Sequence, residues 1–249
     1  MTRQLRIDRI LANLGYASRS EAKVLVARHR VRVNGELVAR ADQLADPSSV
    51  SLDNDPLERA EGILVMVHKP LGVVCSHDER EGPRIFDLLP PRWVRRNPQV
   101  VSVGRLDKDS TGLILITDDY PLVHRLTSPK RHIDKVYEVT TDDDITDQVV
   151  ERFASGELLM ADDPVPCRPA LLLKTDPRSA RVTLTEGRNR QLRRMFAACG
   201  LHVQSLHRTD FGPHHLGDLG IGQWRDVGDV REGDGRGVRE GDVVDGDVS

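Results

Sequence analysis

The segment GRLDKDSTG at residues 104–112 places two aspartates and two hydroxyls between two glycines, directly before the apolar run LILIT. A carboxylate held in such a turn can act as a nucleophile or as a general base, and Asp107 is the candidate for that chemistry. The simplest alternative is a polar turn whose Asp and Ser side chains bond to their own backbone. A phosphate-binding loop is disfavoured, because the G-x-x-x-x-G-K-[ST] spacing is absent and Lys108 precedes the second glycine.

The same segment also has the spacing of the first half of a calcium loop. Asp107, Asp109 and Thr111 would take positions one, three and five, and Gly112 would take position six. Position twelve is Asp118 instead of a bidentate glutamate, and the flanks have the pattern of strands where an EF-hand needs helices. We therefore expect no metal site here.

A second group of candidates is the basic segment EGRNRQLRRMFAACG at residues 186–200. If it is helical from about residue 189, Arg190, Arg193 and Arg194 fall within about 100° of one another on the helical wheel. The opposite face is apolar and would pack on a sheet, and Arg188 adds a fourth cation just before the helix. Such guanidiniums suit bidentate contacts with phosphate or carboxylate and keep a nearby aspartate ionised. The alternative is a solvated charged face.

Tyr137, in the segment HIDKVYEV, is predicted to share one face of a strand with Lys135. An aromatic ring on such a face can stack on a nucleic-acid base or pack in an ordinary core. The residues alone leave both interpretations open.

The first 40 residues have the pattern of a separate basic unit. Nine Lys/Arg against three Asp/Glu give this unit a charge of +6, although the whole chain carries −3. Ser18 and Glu21 form a capping-box pattern that predicts a helix, and Asn34-Gly35 predicts a β-hairpin. An earlier short helix, ending at Gly15, is predicted from apolar residues at helical spacing, namely Ile7, Ile10, Leu11 and Leu14.

The charge of this unit predicts a nucleic-acid surface. The second helix is expected to carry Arg19, Lys23, Arg28 and Arg30, which would contact a phosphate backbone. The alternative is the solvated surface of a small domain. The acid-rich residues 41–62 close the unit and are expected to contain a linker.

Composition bounds the remaining possibilities. Cys75, Cys167 and Cys199 lie far apart without a C-x-x-C pair, so neither a disulfide framework nor a zinc site is predicted, and a reducing cytoplasm fits best. No apolar run approaches the roughly 18 residues that cross a bilayer, and we expect no membrane association. Residues 228–249 carry three arginines against seven acids, with six glycines and no aromatic residue, and are predicted to be disordered.

From residue 63 onward the pattern alternates strands with short helices. Strands are predicted in residues 62–70, 98–106, 112–117 and 135–141, with a hairpin over 170–187 that turns at Asp176-Pro177. Helices are predicted at 119–127, 145–154 and 189–198. Because no steady βαβ alternation is present, the predicted fold class is α+β: a small α/β RNA-binding module followed by a mixed, largely antiparallel sheet with flanking helices.

Two resemblances extend this interpretation. The pattern RIDRILANLGYASRSEAKVLVARHRVRVNG resembles the alpha-L RNA-binding module of ribosomal and RNA-modifying proteins. The motifs HKPLGVVCS, GRLDKDSTGLILITDD, HRLTSPKRHIDKVYEV and EGRNRQLRRMF, in this order, resemble the ribosomal-RNA pseudouridine synthases of the RsuA/RluB type. The resemblance covers about residues 5–226 and implies a module at 1–58, a catalytic domain at 62–227 and an unmatched tail at 228–249.

The family resemblance implies that uridine in ribosomal RNA is isomerised to pseudouridine without a metal or redox cofactor. It places the essential aspartate at Asp107, the base-stacking tyrosine at Tyr137 and a buried arginine partner of Asp107 at Arg193. We expect RNA contacts from basic residues of the module and of these motifs, namely Arg19, Lys23, Arg28, Arg30, Lys69, Arg105, Arg188, Arg190 and Arg194.

The expected partner is ribosomal RNA, and the chain is expected to act as a monomer. The segments HRLTSP and RRMFAACGLHVQSLHR resemble the small-subunit (16S) branch, whereas EGRNRQ also fits the large-subunit branches. Two other classes stay open at this point: a non-catalytic RNA-binding factor in ribosome assembly, and a calcium-regulated binding protein.

Overall fold

The computed structural model describes residues 4–228. Its helices are α1 (Ile7–Asn13), α2 (Arg19–Ala27), α3 (Pro91–Val94), α4 (Tyr120–Thr127), α5 (Asp147–Ala154) and α6 (Gln191–Ala198). Its strands are β1 (Leu5–Arg6), β2 (Val31–Val33), β3 (Glu36–Leu37), β4 (Leu44–Ala45), β5 (Val50–Leu52), β6 (Asp55–Pro56), β7 (Leu64–Lys69), β8 (Val101–Ser102), β9 (Thr111–Thr117), β10 (Lys135–Thr141), β11 (Leu171–Asp176), β12 (Ser179–Leu184), β13 (Val203–Phe211), β14 (His214–His215) and β15 (Trp224–Asp226).

The N-terminal unit folds around its own core, to which α1, α2 and the small sheet β3-β2-β5-β6 contribute. Helix α2 begins with the predicted capping box, in which the Ser18 backbone N–H donates to the Glu21 carboxylate at 2.7 Å. The hairpin β2–β3 turns at Asn34-Gly35, both at positive φ, as this dipeptide predicts. One expectation is wrong: α2 ends at Ala27, so Arg28 and Arg30 lie in the turn after it, where His29 has a φ of 57°.

The large sheet has the strand order β11-β12-β10-β13-β9-β7-β15, with β8 and β14 attached to β9 and β13. Only the contact between β9 and β13 is parallel among the described strands, which confirms the mixed, largely antiparallel prediction. The predicted hairpin over 170–187 is present as β11–β12. The strand expected at 98–106 is reduced to the two residues of β8, because Gly104, at a φ of 72°, turns the chain away from the sheet.

Both faces of the sheet are covered at its centre. Helices α5 and α6 pack on one face, where the rings of Phe153 and Phe196 lie 4.8 Å apart, and α4 packs on the other face with Leu122. Met195 and Phe196 are fully buried, and burial of a side chain of this size contributes about 1.5–3 kcal/mol. The apolar face predicted for α6 therefore fixes the helix, and with it the arginines on its other side.

The N-terminal unit contacts the sheet domain through α3 and the residues after it. The Arg92 guanidinium lies over the Tyr16 ring, 4.5 Å from its centroid, and forms an ion pair with Glu58. Gly15 has a φ of 78°, and a Cβ atom at this position would lie 2.2 Å from the Arg92 carbonyl oxygen. The Asn97 N–H donates to the Asn13 carbonyl at 2.9 Å. The two units therefore meet at a closely packed contact.

Three further observations bear on the expectations from sequence. Cys75, Cys167 and Cys199 are free thiols. Within residues 4–228, none of the helices combines the length and apolar character required to cross a bilayer. The tail predicted to be disordered, apart from Gly228, lies outside the described residues.

Candidate active site

Asp107 lies in a short loop that leads into β9. The loop closes on itself, since the Ser110 N–H donates to the Asp107 carbonyl at 3.0 Å, and the Gly72 N–H donates to the Lys108 carbonyl at 2.9 Å. About one third of the Asp107 side chain is exposed. The loop is thus fixed by its own backbone and by the segment after β7, while the carboxylate faces an open space.

Lys69 supports this loop from beneath. Its Nζ donates to the Ser110 carbonyl at 2.6 Å and to the Pro70 carbonyl at 3.1 Å, and the residue is fully buried. Burial lowers the pKa of the Lys69 ammonium below its ordinary value. The expectation that Lys69 contacts RNA is wrong, because the side chain has no surface to offer and its hydrogen bonds go to the loop.

Gly112, the second glycine of the motif, brings β9 against β13. It is the register partner of Lys69 on β7 and of Arg208 on β13. A Cβ atom at Gly112 would lie 2.2 Å from the carbonyl oxygen of Arg208 and 2.5 Å from its nitrogen, and the φ of 107° is unfavourable for any residue with a Cβ. The glycine is required by this close approach of two backbones.

Arg193 clamps the same loop from the side of α6, but it does so through Asp109. Its Nη2 donates to the Asp109 carbonyl at 2.8 Å and lies 3.3 Å from the Asp109 carboxylate, while its Nη1 donates to the Val203 carbonyl at 2.9 Å. The expected pairing of Arg193 with Asp107 is therefore wrong. Arg193 positions the loop and does not touch the Asp107 carboxylate.

Arg190 is the arginine that approaches Asp107. Its Nη2 donates to the Asp109 carboxylate at 3.0 Å, and its Nε lies 4.0 Å from the Asp107 carboxylate. Arg190 adopts the left-handed conformation, with a φ of 47° and a ψ of 34°, and α6 begins only at Gln191. The Gln191 amide fixes this turn by accepting from the Arg188 N–H at 2.9 Å and donating to the Glu186 carboxylate at 2.5 Å.

The predicted helical face with three arginines is accordingly wrong, because Arg190 precedes the helix. Arg194 points to another loop, where its Nη2 donates to the Ala161 carbonyl at 2.6 Å. Arg188 donates to the carbonyls of Val165 and Pro166 at 2.7 and 2.6 Å, so its hydrogen bonds are also made within the protein.

A cavity of about 370 Å³ opens beside the Asp107 carboxylate. Tyr137 lines it from β10 and is 9% exposed, sharing its strand face with Lys135 as predicted. The charged residues in the wall are five cations and two carboxylates, namely Arg105, Lys135, Arg188, Arg190, Arg208, Asp107 and Glu186. This excess of positive charge suits a polyanionic substrate.

The calcium alternative is wrong on structural grounds. An EF-hand needs a helix after the loop, and the segment that follows is β9 in the centre of the sheet. Asp109, which would occupy position three of the calcium loop, is instead held by Arg190 and Arg193.

Sequence reasoning missed Arg208 and the part played by Asp109. Arg208 lies within the segment VQSLHRTDF, whose alternation of polar and apolar residues is too irregular to indicate that an arginine would be buried. The contact between Asp109 and Arg193 spans 84 residues along the chain, and local patterns carry no signal for it.

The basic side chains of the N-terminal unit are exposed at Arg19, Lys23, Arg28 and Arg30. Arg30 is engaged with Asp53, to which its Nε donates at 2.7 Å. The other three form no hydrogen bond or ion pair with a side chain among residues 4–228. They remain available to bind phosphate.

Comparison with known proteins agrees with this geometry. The sequence matches the family model for RNA pseudouridylate synthase over residues 63–198 and that for the S4 domain over residues 5–50. It is 38% identical over 226 residues to ribosomal small subunit pseudouridine synthase A of Escherichia coli strain K12, which covers 89% of this chain and 95% of that protein. The protein of the same name from Pasteurella multocida strain Pm70 is 35% identical over 226 residues, with coverages of 90% and 96%.

A solved structure supports the same relationship. A crystal structure of a pseudouridylate synthase superposes with a TM-score of 0.63 at 34% identity, over 90% of this chain and 96% of that one. The resemblance inferred from the four motifs and the basic module is confirmed. The chain therefore belongs to the RNA pseudouridylate synthase family and carries an S4 domain ahead of its catalytic sheet.

Proposed function

We propose that this protein isomerises a uridine of small-subunit (16S) ribosomal RNA to pseudouridine, with Asp107 as the reacting carboxylate. The observation that carries the proposal is the partly exposed Asp107 beside a positively charged cavity that Tyr137 also lines. The preference for the small subunit rests on relatives that bear this name at 35–38% identity over nearly their full length.

The cavity suits a nucleotide that has left its stack. A base in a folded RNA exposes its glycosidic bond only after it flips out, which costs a few kcal/mol. Contacts between cationic side chains and phosphates offset this cost. Arg105, exposed at the mouth of the cavity, and Arg190 are suited to contact the flanking backbone.

Asp107 would then face the ribose. A carboxylate at this position has two possible roles: attack on C1′ of the sugar as a nucleophile, or removal of a sugar proton as a base. The base must detach from C1′, turn and rejoin through C5, so the cavity has to retain a free uracil. Stacking on Tyr137 would provide part of that retention.

The remaining assignments follow from the same picture. We infer that residues 1–58 act as the RNA-holding module and residues 62–227 as the catalytic domain, because the described apolar clusters divide between Ala60 and Ile63. We propose a monomer as the active species. The free cysteines support action in a reducing cytoplasm.

The test is to replace Asp107 by Asn or Ala and to measure tritium release from RNA whose uridines carry tritium at C5. Both variants should fold and bind target RNA at least as well as the wild type, since a negative charge near phosphate is lost, and neither should form pseudouridine. The matched control is Asp109→Asn, which weakens the contacts to Arg190 and Arg193 and should reduce the rate only in part. Near-normal release by the Asp107 variants would end the assignment of Asp107 as the reacting carboxylate, whereas no release by the wild type would leave the chain as an RNA-binding assembly factor. Mapping pseudouridine in both ribosomal RNAs of a deletion strain tests the choice of subunit.

A further inference from the structure

Arg208, in the middle of β13, is the cation in the cavity wall whose presence the fold explains least. It is 2% exposed, and the only hydrogen bond of its side chain to residues 4–228 runs from Nε to the Leu113 carbonyl at 2.7 Å. Its Nη2 is buried and has no hydrogen-bond partner, and within residues 4–228 no carboxylate pairs with its guanidinium. A buried charge without a partner destabilises a fold unless another group compensates it. Because Arg208 lines the cavity, a ligand bound there could supply the group that compensates its charge.

The surroundings of Arg208 indicate what such a group would be. Arg208 is the direct register partner of Tyr137 on β10, and its Cζ lies 6.0 Å from the Tyr137 ring centroid and 5.3 Å from that of Phe211. The Lys135 Nζ also lies over the Phe211 ring, 5.3 Å from its centroid, and already donates to the Ile133 carbonyl. A base that stacks on Tyr137 would thus meet the unused N–H groups of Arg208.

The chemistry of uracil fits these donors. Uracil presents two exocyclic carbonyl oxygens, O2 and O4, whereas cytosine presents an amino group at C4. When the C1′–N1 bond breaks, its electron pair stays on the base and negative charge spreads to O2 and O4. The charge is consumed when C5 bonds to C1′; the proton on C5 is then lost and N1 gains one. A guanidinium at the carbonyl edge stabilises the base most while it is detached.

Accordingly, we propose that Arg208 binds a carbonyl oxygen of the flipped uracil and holds the base while it is detached from the ribose. The inference rests on the proposed function, because it assigns a role within the same cavity. It distinguishes Arg208 from Arg193, which positions the loop through Asp109, and from Tyr137, which offers a stacking surface.

The chain allows a matched substitution. In Arg208→Gln the amide nitrogen takes the place of Nε and can still donate to the Leu113 carbonyl, while Cζ, both Nη atoms and the charge are removed. The cross-strand bond is thereby kept, and only the outer part of the guanidinium of this cavity-lining residue is lost. The variant should melt close to the wild type and bind RNA within a few-fold, but its kcat should fall by about 10- to 100-fold, as expected for a lost charged hydrogen bond. Arg181→Gln, at an exposed position on β12, the strand beyond β10, is the control and should leave kcat unchanged.

A second measurement does not depend on the folding of the variant. The mapped target uridine is replaced by 2-thiouridine or 4-thiouridine, because sulfur accepts hydrogen bonds more weakly than oxygen. One of the two should slow the wild type, and the same replacement should cause no further loss in Arg208→Gln; the sensitive position identifies the bound oxygen. A wild type that is indifferent to both replacements, or losses that multiply in Arg208→Gln, would overturn the assignment. Failure of the wild type to modify unsubstituted small-subunit RNA would instead reject the proposed function.

Discussion

Arg193→Lys separates a residue that positions the catalytic loop from one that binds RNA. The guanidinium of Arg193 makes two hydrogen bonds to backbone carbonyls, one in the loop at Asp109 and one in β13 at Val203. A lysine ammonium retains the charge but cannot span both carbonyls, so one bond is lost. A hydrogen bond from a charged donor contributes about 1.5–3 kcal/mol, whereas the half-exposed carboxylate of Asp109 adds about 1 kcal/mol at most.

If this energy holds the loop in its active position, its loss lowers the population of that position by about 10- to 100-fold. We therefore expect kcat for tritium release to fall by that factor. RNA affinity should stay within a few-fold, because only 14% of the Arg193 side chain is exposed. The comparison is Arg190→Lys, at a side chain that is 48% exposed and should affect mainly RNA affinity. Equal losses of turnover in the two variants, or a loss confined to affinity in Arg193→Lys, would refute the reasoning.

Three further outcomes are expected. Gly112→Ala should lower the free energy of unfolding by about 3 kcal/mol or more in a denaturant titration, because its Cβ meets the Arg208 backbone; Gly72→Ala, with a φ of 82° but open space around it, should cost only about 1–2 kcal/mol. Removal of three exposed charges of the S4 domain should weaken the salt dependence of RNA binding. The slope of the logarithm of the binding constant against the logarithm of the salt concentration should decrease in magnitude by about 2–3, while turnover at saturating RNA stays unchanged. The substitutions are Arg19→Gln, Lys23→Gln and Arg28→Gln. Burial lowers the pKa of His207 below its ordinary 6.5, so the unfolded chain takes up the proton more readily and the free energy of unfolding should decrease as the pH falls through 6.5. His207→Gln, which can keep the bond to Thr111, should flatten that decrease; an equally steep pH profile would contradict it.

The parts of the fold that sequence predicted well are those set by local signals. The Ser18–Glu21 capping box and the Asn34-Gly35 hairpin act within a few residues, and both appear where they were expected. Apolar periodicity likewise located β7, β9, β10, α4, α5 and the buried face of α6. The motif that contains Asp107 was recognised for the same reason, since its residues are consecutive.

Two of the three errors concern partners that are distant in sequence. Lys69 looks like a surface cation in the string HKPLG, but its shortest hydrogen bond when buried goes to the carbonyl of Ser110, 41 residues later. Arg190 would continue a helix by its propensity, yet the Gln191 contacts to Glu186 and Arg188 hold it in the left-handed conformation. Arg193 meets Asp109 instead of Asp107 because the loop presents a carbonyl and a carboxylate of the same residue toward α6. The contacts of Lys69 and Arg193 lie outside any short window of residues, whereas the turn at Arg190 is local and is misjudged when helix propensity alone is considered.

The close approach of Gly112 to Arg208 also bears on the order in which the parts of the chain fold. The Asp107 loop is closed by Lys69 on one side and by β13 on the other, and the bond from Arg208 to Leu113 joins residues 95 positions apart. Contacts of such sequence separation form late, whereas the core of the S4 domain is complete within the first 60 residues. During synthesis, the RNA-holding end can therefore fold well before β13 has left the ribosome. Catalytic competence is acquired last, when residues as far as Phe211 are available to complete the part of the sheet that lines the cavity.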